Sequence, residues 1–235
     1  MIETVLFDLD GTLLPMDQEK FTRHYVKNLV MTVARLGYDP KQLAKTIMEG
    51  SREMENNDGT RTNSDAFWDY FCSVYGEEAR KDIPAFQSFY RNEFNESKVT
   101  CGFDPVVPRA IKALKKAGYR LGVASNPLIP TDGVTARIKW AGLDPLDFDF
   151  FTSYETSSYS KPNPNFLLEI TEQRDLDPTT CLMVGNGMDD DILPAEKIGM
   201  QVFLIVRDGD PEQDAGNCPT GDFNVLLNFL GVEAN

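Results

Sequence analysis

The sequence has one histidine, His24, and its four cysteines lie far apart along the chain. A serine–histidine–aspartate triad is hard to build here, and cysteines without a CxxC pair argue against a zinc site or a disulfide framework. We therefore expect reduced, mostly buried thiols in a cytoplasmic protein. No apolar run approaches the ~20 residues of a membrane-spanning helix, and a strand starts almost at residue 1. We accordingly expect neither a membrane anchor nor a signal peptide.

Basic residues are also scarce: 23 Lys and Arg stand against 37 Asp and Glu, which gives a net charge of -14. This balance argues against binding to a nucleic-acid backbone, and the overall field does not steer an anionic substrate towards the protein. Any phosphate site must therefore be made positive locally.

The 235 residues, of which 41% are hydrophobic, suffice for one large domain or a core with a smaller module. We expect a monomer or a homodimer.

The most informative stretch of the chain runs from Val5 to Leu13. An apolar run leads directly into Asp8 and Asp10; Gly11 then permits a tight turn and Thr12 offers a hydroxyl. Open α/β sheets bind their ligands at the carboxyl ends of their strands. Two carboxylates at this spacing repel each other unless a cation or a shared proton relieves them. The pattern therefore indicates a divalent metal and nucleophilic chemistry by an aspartate.

The segment from about residue 17 to 97 has a helical pattern almost throughout. Apolar and aromatic residues repeat at helical spacing in four stretches, the first of which ends at Gly37. The third is predicted to begin with Asn63 or Ser64 as its N-cap. Such stripes are more often core than ligand platform, so we expect a small helical bundle inserted into an α/β domain.

Beyond residue 104 buried strands alternate with helix-length segments. This rhythm predicts a parallel, doubly wound sheet. The stretch 207–222, rich in Gly, Pro and Asp, is predicted to be a loop before a closing helix at 226–230. The predicted strands of this part are residues 119–124, 148–152, 181–184 and 202–206.

Three of these strands lead towards further polar groups. Ser125 and Asn126 follow the strand 119–124 and can donate hydrogen bonds to an oxyanion, although Ser-Asn-Pro is also a common turn. Lys161 precedes Pro162 in a loop stiffened by prolines, where it could neutralise a phosphate or simply face solvent. Residues 185–191, Gly-Asn-Gly-Met-Asp-Asp-Asp, place three acids where a helix begins, a position that the helix dipole alone also favours.

These four strings resemble, in order, the four motifs of the haloacid dehalogenase-like (HAD) superfamily, whose members are mostly phosphatases. Asp8 to Leu13 is similar to motif one, Ser125 to motif two, Lys161-Pro-x-Pro to motif three and residues 185–191 to motif four. The resemblance implies an α/β fold with a HAD-like Rossmannoid parallel-sheet core and an inserted all-helical cap of the C1 type. The implied core is residues 1–16 and 98–235, and the implied cap is residues 17–97.

The resemblance further implies Mg²⁺-dependent hydrolysis of a small phosphate monoester through an aspartyl-phosphate. Asp8 would be the nucleophile, Asp10 the general acid and base, and Lys161 the group that stabilises charge. Lys161 would also bind the phosphoryl group with Thr12, Ser125 and Asn126. The metal ligands would be Asp8, Asp10, Asn186, Asp190 and Asp191.

Asn186 departs from the family pattern, which normally has a metal-binding aspartate at this position. An asparagine oxygen still ligates Mg²⁺ but brings no charge, so we expect weaker metal binding. Asp190 adds an acid where the family often has Asn, which roughly restores the acidic count.

Several alternatives share the scaffold. A sugar phosphomutase would use the same pair of aspartates, and a HAD-like binding or regulatory protein would have lost turnover through Asn186. A haloacid dehalogenase is not expected to carry an acid at Asp10. The large helical segment 17–97 and the second acid two residues after Asp8 disfavour a phospho-accepting receiver domain. The sequence does not identify the substrate. Residues such as Arg52 and Arg61 could face the cleft, but arginines are more often solvent-exposed surface residues.

Overall fold

The computed structural model describes residues 1–207, 209 and 213–233. Within them lies a parallel six-stranded sheet with the order β3-β2-β1-β4-β5-β6. The strands are β1 (Thr4–Phe7), β2 (Arg120–Val123), β3 (Phe150–Phe151), β4 (Cys181–Gly185), β5 (Gln201–Ile205) and β6 (Thr220–Gly221). At the end of β1, Phe7 pairs with Val123 of β2 and Val184 of β4, so the carboxyl ends of three strands lie side by side.

Helices cover both faces of this sheet because the strand residues alternate between two apolar clusters. Val5 and Phe7 face one cluster, together with α5, α6 and α9, whereas Leu6 faces the other, with α7 and α8. The predicted doubly wound parallel sheet is therefore confirmed. These helices are α5 (Val106–Lys116), α6 (Thr131–Trp140), α7 (Pro164–Arg174), α8 (Leu193–Lys197) and α9 (Phe223–Phe229).

The segment between β1 and α5 is helical, as its periodicity predicts. It contains α1 (Gln18–Val33), α2 (Pro40–Glu55), α3 (Asn63–Tyr75) and α4 (Ile83–Arg91), with shorter 3₁₀ turns around them. We call residues 17–97 the helical block. Its aromatic side chains pack against one another and against α6, where the rings of Phe94 and Trp140 stack with centroids 5.0 Å apart. The block and the sheet therefore share one apolar cluster.

Two chain crossings join the helical block to the sheet. They run beside each other: Met16 pairs with Cys101 in an antiparallel bridge, and the Gly102 N–H donates to the Pro15 carbonyl, 2.6 Å away.

None of the helices in the described ranges combines the length and apolar character that crossing a membrane requires.

The start of α3 corrects one prediction. Its N-cap is Thr62, whose side chain accepts from the Asp65 N–H, and not Asn63 or Ser64. Asn63 is fully buried within the first turn instead, where its Nδ2 donates to the Pro127 carbonyl at 3.1 Å and to Ser160 Oγ at 3.0 Å. Asn63, a residue type that favours N-cap positions, thus forms tertiary hydrogen bonds instead of capping the helix.

The predicted loop 207–222 is also wrong in part. Its end forms β6, whose Thr220 and Gly221 pair with Leu204 and Ile205 of β5. A strand of only two residues is too short to show the alternating apolar pattern of a strand, so the sequence predicts only the loop around it. Residues 208 and 210–212 of the predicted loop lie outside the described part of the chain.

Candidate active site

Asp8 lies at the end of β1 with its side chain almost fully buried. The Thr12 hydroxyl donates to Asp8 Oδ2 at 3.0 Å and also reaches Asn186 Oδ1 at 3.2 Å. Gly11 makes this approach feasible, because its φ of +90° suits glycine and an added Cβ would lie 2.4 Å from Asn186 Nδ2. The turn after β1 therefore brings Asn186 against the Asp8 carboxylate.

Lys161 lies between two carboxylates. Its Nζ donates to Asp8 Oδ1 and to Asp191 Oδ1, each 2.6 Å away, in a site that is nearly closed to solvent. Burial lowers the pKa of Lys161, but the charges of Asp191 and Asp8 outweigh it and raise that pKa above its usual value. The ammonium is therefore held charged, directly beside Asp8.

The second oxygen of Asp191 is also engaged. Asp191 Oδ2 accepts from the backbone N–H groups of Asn186 and Gly187, each at 3.1 Å. Gly185 leaves room for this carboxylate, since an added Cβ would lie 2.2 Å from Asp191 Oδ2. Burial raises the pKa of Asp191 to about 6, against the opposing charge of Lys161. In this arrangement Asp191 orients both Lys161 and the turn after β4.

Asp10 has a partner that the motifs did not reveal. Arg137 of α6, only 1% exposed, forms an ion pair with Asp10 Oδ2. Burial raises the pKa of Asp10, Arg137 opposes this shift, and the nearby charge of Asp8 adds to it. Asp10 Oδ1 and Arg137 Nη2 are buried without a hydrogen-bond partner among the described residues.

The sequence does contain a signal for Arg137. It occupies the buried stripe of α6 together with Val134, Ile138 and Ala141, at the i, i+3, i+4 and i+7 positions. An arginine is almost never fully buried without a partner, so its place in an apolar stripe predicts a buried carboxylate nearby.

Ser125 and Asn126 follow β2 on the other side of Asp8. Ser125 is buried, and its hydroxyl has no hydrogen-bond partner within the described ranges. Asn126 Oδ1 accepts from the Lys161 backbone N–H at 3.2 Å, which leaves the amide nitrogen of Asn126 free to donate elsewhere. Asn126 lines a cavity, and the adjacent Ser125 does not.

A cavity of about 470 Å³ opens above these groups. Its floor includes Asp8, Asp10, Asn126, Arg137 and Lys161, with Asn186, Asp190 and Asp191 beside them. Its roof comes from α1 and α2 of the helical block. The roof includes Gln18, Thr22, Tyr25, Met48, Ser51 and Glu55. The structure thus brings most of the predicted site residues to one cavity, while Thr12 and Ser125 are buried and do not line it.

The oxygen atoms at this cavity are of the chemical type that binds Mg²⁺. Asp8 Oδ2 and Asn186 Oδ1 both lie within 3.2 Å of Thr12 Oγ1, and the exposed Asp190 carboxylate lines the same cavity. Carboxylate and amide oxygens are hard ligands of the type that Mg²⁺ prefers. No three acidic, histidine or cysteine side chains of the described part converge into a ready cluster, because Lys161 separates Asp8 from Asp191.

Known proteins resemble this chain along most of its length. It is 29% identical over 211 residues to a glyceraldehyde 3-phosphate phosphatase of Methanothermobacter thermautotrophicus, covering 87% of this chain and 86% of that protein. It is 26% identical over 209 residues to a phosphoglycolate phosphatase of Aquifex aeolicus, covering 87% and 85%. The structure of a HAD phosphatase from Thermococcus onnurineus superposes with a TM-score of 0.60 at 21% identity, covering 100% of both chains.

A family model agrees with the geometry. The model of the haloacid dehalogenase-like hydrolases matches residues 2–199, which include Asp8, Ser125, Lys161 and Asp191 as well as the whole helical block. By this match and by its fold, the chain belongs to the haloacid dehalogenase-like hydrolase family.

Proposed function

We propose that this hydrolase is a Mg²⁺-dependent phosphatase that cleaves a small phosphate monoester through an aspartyl-phosphate on Asp8. The observation that carries the proposal is the bridge of Lys161 between Asp8 and Asp191, at the floor of a cavity open to a small molecule. The phosphatase names of the two relatives support the same reaction. A cytoplasmic location and a monomeric or homodimeric state stay predictions.

Asp8 acts as the nucleophile. Hydrogen bonds from Thr12 and Lys161 fix the orientation of its carboxylate, so that one oxygen can attack phosphorus in line with the leaving group. A bond forms between Asp8 and phosphorus, and the bond from phosphorus to the ester oxygen breaks. Asp10 then gives a proton to the departing alkoxide and takes one from the water that cleaves the phosphoaspartate.

The phosphoryl oxygens need positive charge and hydrogen-bond donors. Lys161 supplies the charge, and the unpartnered Ser125 hydroxyl and the Asn126 amide nitrogen supply neutral donors. This local arrangement offsets an overall charge of -14, which by itself repels phosphate.

Asp8, Asn186, Asp190 and the backbone carbonyl of Asp10 would hold Mg²⁺. The ion would supply Lewis-acid charge to the phosphoryl oxygens. We assign Asp191 mainly to the orientation of Lys161, because both of its oxygens already accept hydrogen bonds. Asp190, whose carboxylate is exposed at the cavity, takes the direct ligand role in its place.

The helical block acts as the C1-type cap of this enzyme. Its helices α1 and α2 form the roof of the cavity, and its only covalent links to the sheet are the two paired crossings near residues 15–16 and 99–103. These crossings are the hinges about which the block would open for substrate and close against water.

Release of inorganic phosphate tests the proposal. Purified protein with Mg²⁺ is expected to hydrolyse p-nitrophenyl phosphate, and Asp8→Asn to abolish this activity, because an amide cannot form the acyl phosphate. Asp189→Asn is the matched control, since Asp189 is an exposed acid of the same region that does not line the cavity. Turnover by a folded Asp8→Asn protein would contradict the mechanism, and isomerisation of a sugar phosphate without phosphate release would identify a phosphomutase.

A further inference from the structure

The roof of the cavity has polar side chains but no cationic one. The amide of Gln18, the hydroxyls of Thr22 and Ser51 and the carboxylate of Glu55 line it. Glu55, at the end of α2, is exposed, and its carboxylate forms no ion pair and accepts no hydrogen bond among the described residues. A substrate meets there one unpartnered negative charge and several neutral groups.

Both cations of the floor are already neutralised. Lys161 lies between Asp8 and Asp191, and it belongs to the phosphoryl group that Asp8 attacks. Arg137 is paired with Asp10, and its other terminal nitrogen is buried with no hydrogen-bond partner in the described part of the chain. These are the two basic side chains that line the cavity in the described ranges, so neither is available to a second anionic group of the substrate.

The two arginines of the helical block that the sequence singled out do not line the cavity. Arg52 is exposed and does not line the cavity, and Arg61 is bound to Asp69 with 2.7 Å between Nη1 and Oδ2. A carboxylate or second phosphate near the roof would therefore lose its water facing Glu55, with no basic side chain of the described residues to compensate it.

We propose that the cavity selects phosphate monoesters whose remaining part is uncharged and hydroxylated, and that Glu55 is the residue that rejects a second anion. This inference rests on the proposed phosphatase function.

A hydroxylated substrate suits both faces of the cavity. Its O–H groups can donate to the Glu55 carboxylate and exchange hydrogen bonds with Thr22, Ser51 and Gln18, while its C–H groups pack on Tyr25 and Met48. A cavity of about 470 Å³ has room for a phosphate and a short carbon chain of this kind.

Matched pairs of substrates test the selection. Glycerol 3-phosphate differs from 3-phosphoglycerate, and 2-hydroxyethyl phosphate from phosphoglycolate, chiefly in a CH₂OH group in place of a carboxylate. We expect kcat/KM to favour the neutral member of each pair by about tenfold or more, because facing like charges are strongly unfavourable. A ratio near one, or a preference for the carboxylates, would overturn the inference.

A charge reversal tests the role of Glu55. Glu55→Arg is expected to lower the neutral-to-anionic ratio of kcat/KM by about tenfold or more, mainly by reducing KM for the carboxylates. Glu53→Arg places the same charge two residues earlier on α2, at an exposed position that does not line the cavity, and should leave the ratio unchanged. An unchanged ratio in Glu55→Arg, or an equal shift in both variants, would contradict the role of Glu55.

Hydrolysis of p-nitrophenyl phosphate separates the two proposals. If the protein with Mg²⁺ releases phosphate from none of the esters, including this one, the phosphatase function itself is wrong. If it hydrolyses the aryl ester but favours the carboxylates over their neutral partners, only the inference about selection is wrong.

Discussion

The floor and the roof of the cavity differ in how their polar groups are held. On the floor, Lys161 binds two carboxylates, Arg137 binds a third, and Asp191 accepts three hydrogen bonds in all. On the roof, the Glu55 carboxylate has no partner among the described residues and is exposed at the end of α2. On the floor, each charged side chain orients its neighbour, so substituting one of them disturbs the others. On the roof, the side chains do not depend on one another and can be substituted one at a time.

This difference separates two tasks. The floor is suited to one reaction, because its charges are oriented before the substrate arrives. The roof is suited to choosing among substrates of that reaction, since a change there leaves the floor network intact. Substitutions on the floor should accordingly change turnover, and those that break a buried ion pair should also reduce stability. Three such changes are expected to differ in size, from the largest effect to the smallest.

Lys161→Met should have the largest effect. It leaves Asp8 and Asp191 buried together without a cation, and breaking a buried ion pair in this way costs about 3–5 kcal/mol. We expect a matching fall in the free energy of unfolding, measured with denaturant, and no detectable turnover. Adding Asp191→Asn should restore part of the stability but none of the activity. Wild-type stability of Lys161→Met would show that the floor charges are not interdependent.

Arg137→Met should have the next largest effect on turnover. We expect kcat to fall by roughly 10²-fold with little change in KM, because Asp10 loses the group that orients it for proton transfer. If Arg137 acts through Asp10, the double variant with Asp10→Asn should be no slower than Asp10→Asn alone. Arg137→Lys keeps the charge and should recover part of kcat. Additive losses in the double variant would assign Arg137 an independent role.

Asn186→Asp and Asp190→Asn should have the smallest effect, which is confined to metal dependence. If Asn186 binds Mg²⁺ as a neutral ligand, Asn186→Asp should lower the Mg²⁺ concentration for half-maximal activity. If Asp190 supplies the missing charge, Asp190→Asn should raise it. Metal titrations of the wild type and both variants compare them directly. Identical titrations would mean that the end of β4 is not the metal site.

The floor could be predicted from the sequence because its parts lie at strand ends. The carboxyl ends of parallel strands meet at one edge of a sheet, so the sequence alone predicts that Asp8, Ser125 and Asn186 lie together. The resemblance of the proline-stiffened loop to a family motif adds Lys161 to this group.

Other features depend on packing between elements distant in sequence. Arg137 reaches Asp10 only because α6 packs beside the sheet, and no local motif marks this contact. Glu55 and the rest of the roof likewise depend on how the helical block rests on the core. Thr62 replaced the predicted caps of α3 because tertiary hydrogen bonds engage Asn63, which a local capping rule cannot anticipate.

The buried position of Asn63 has a consequence for the motion of the whole molecule. Asn63 belongs to the helical block, yet its partners Pro127 and Ser160 adjoin Asn126 and Lys161 in the two loops that hold the phosphate-binding groups. Lifting the block would expose or orphan these bonds, and each buried polar group left unpaired costs about 1–3 kcal/mol. We therefore expect the first turn of α3 and these two loops to open as one cooperative unit, so that their amide hydrogens exchange with solvent at a common free energy of opening.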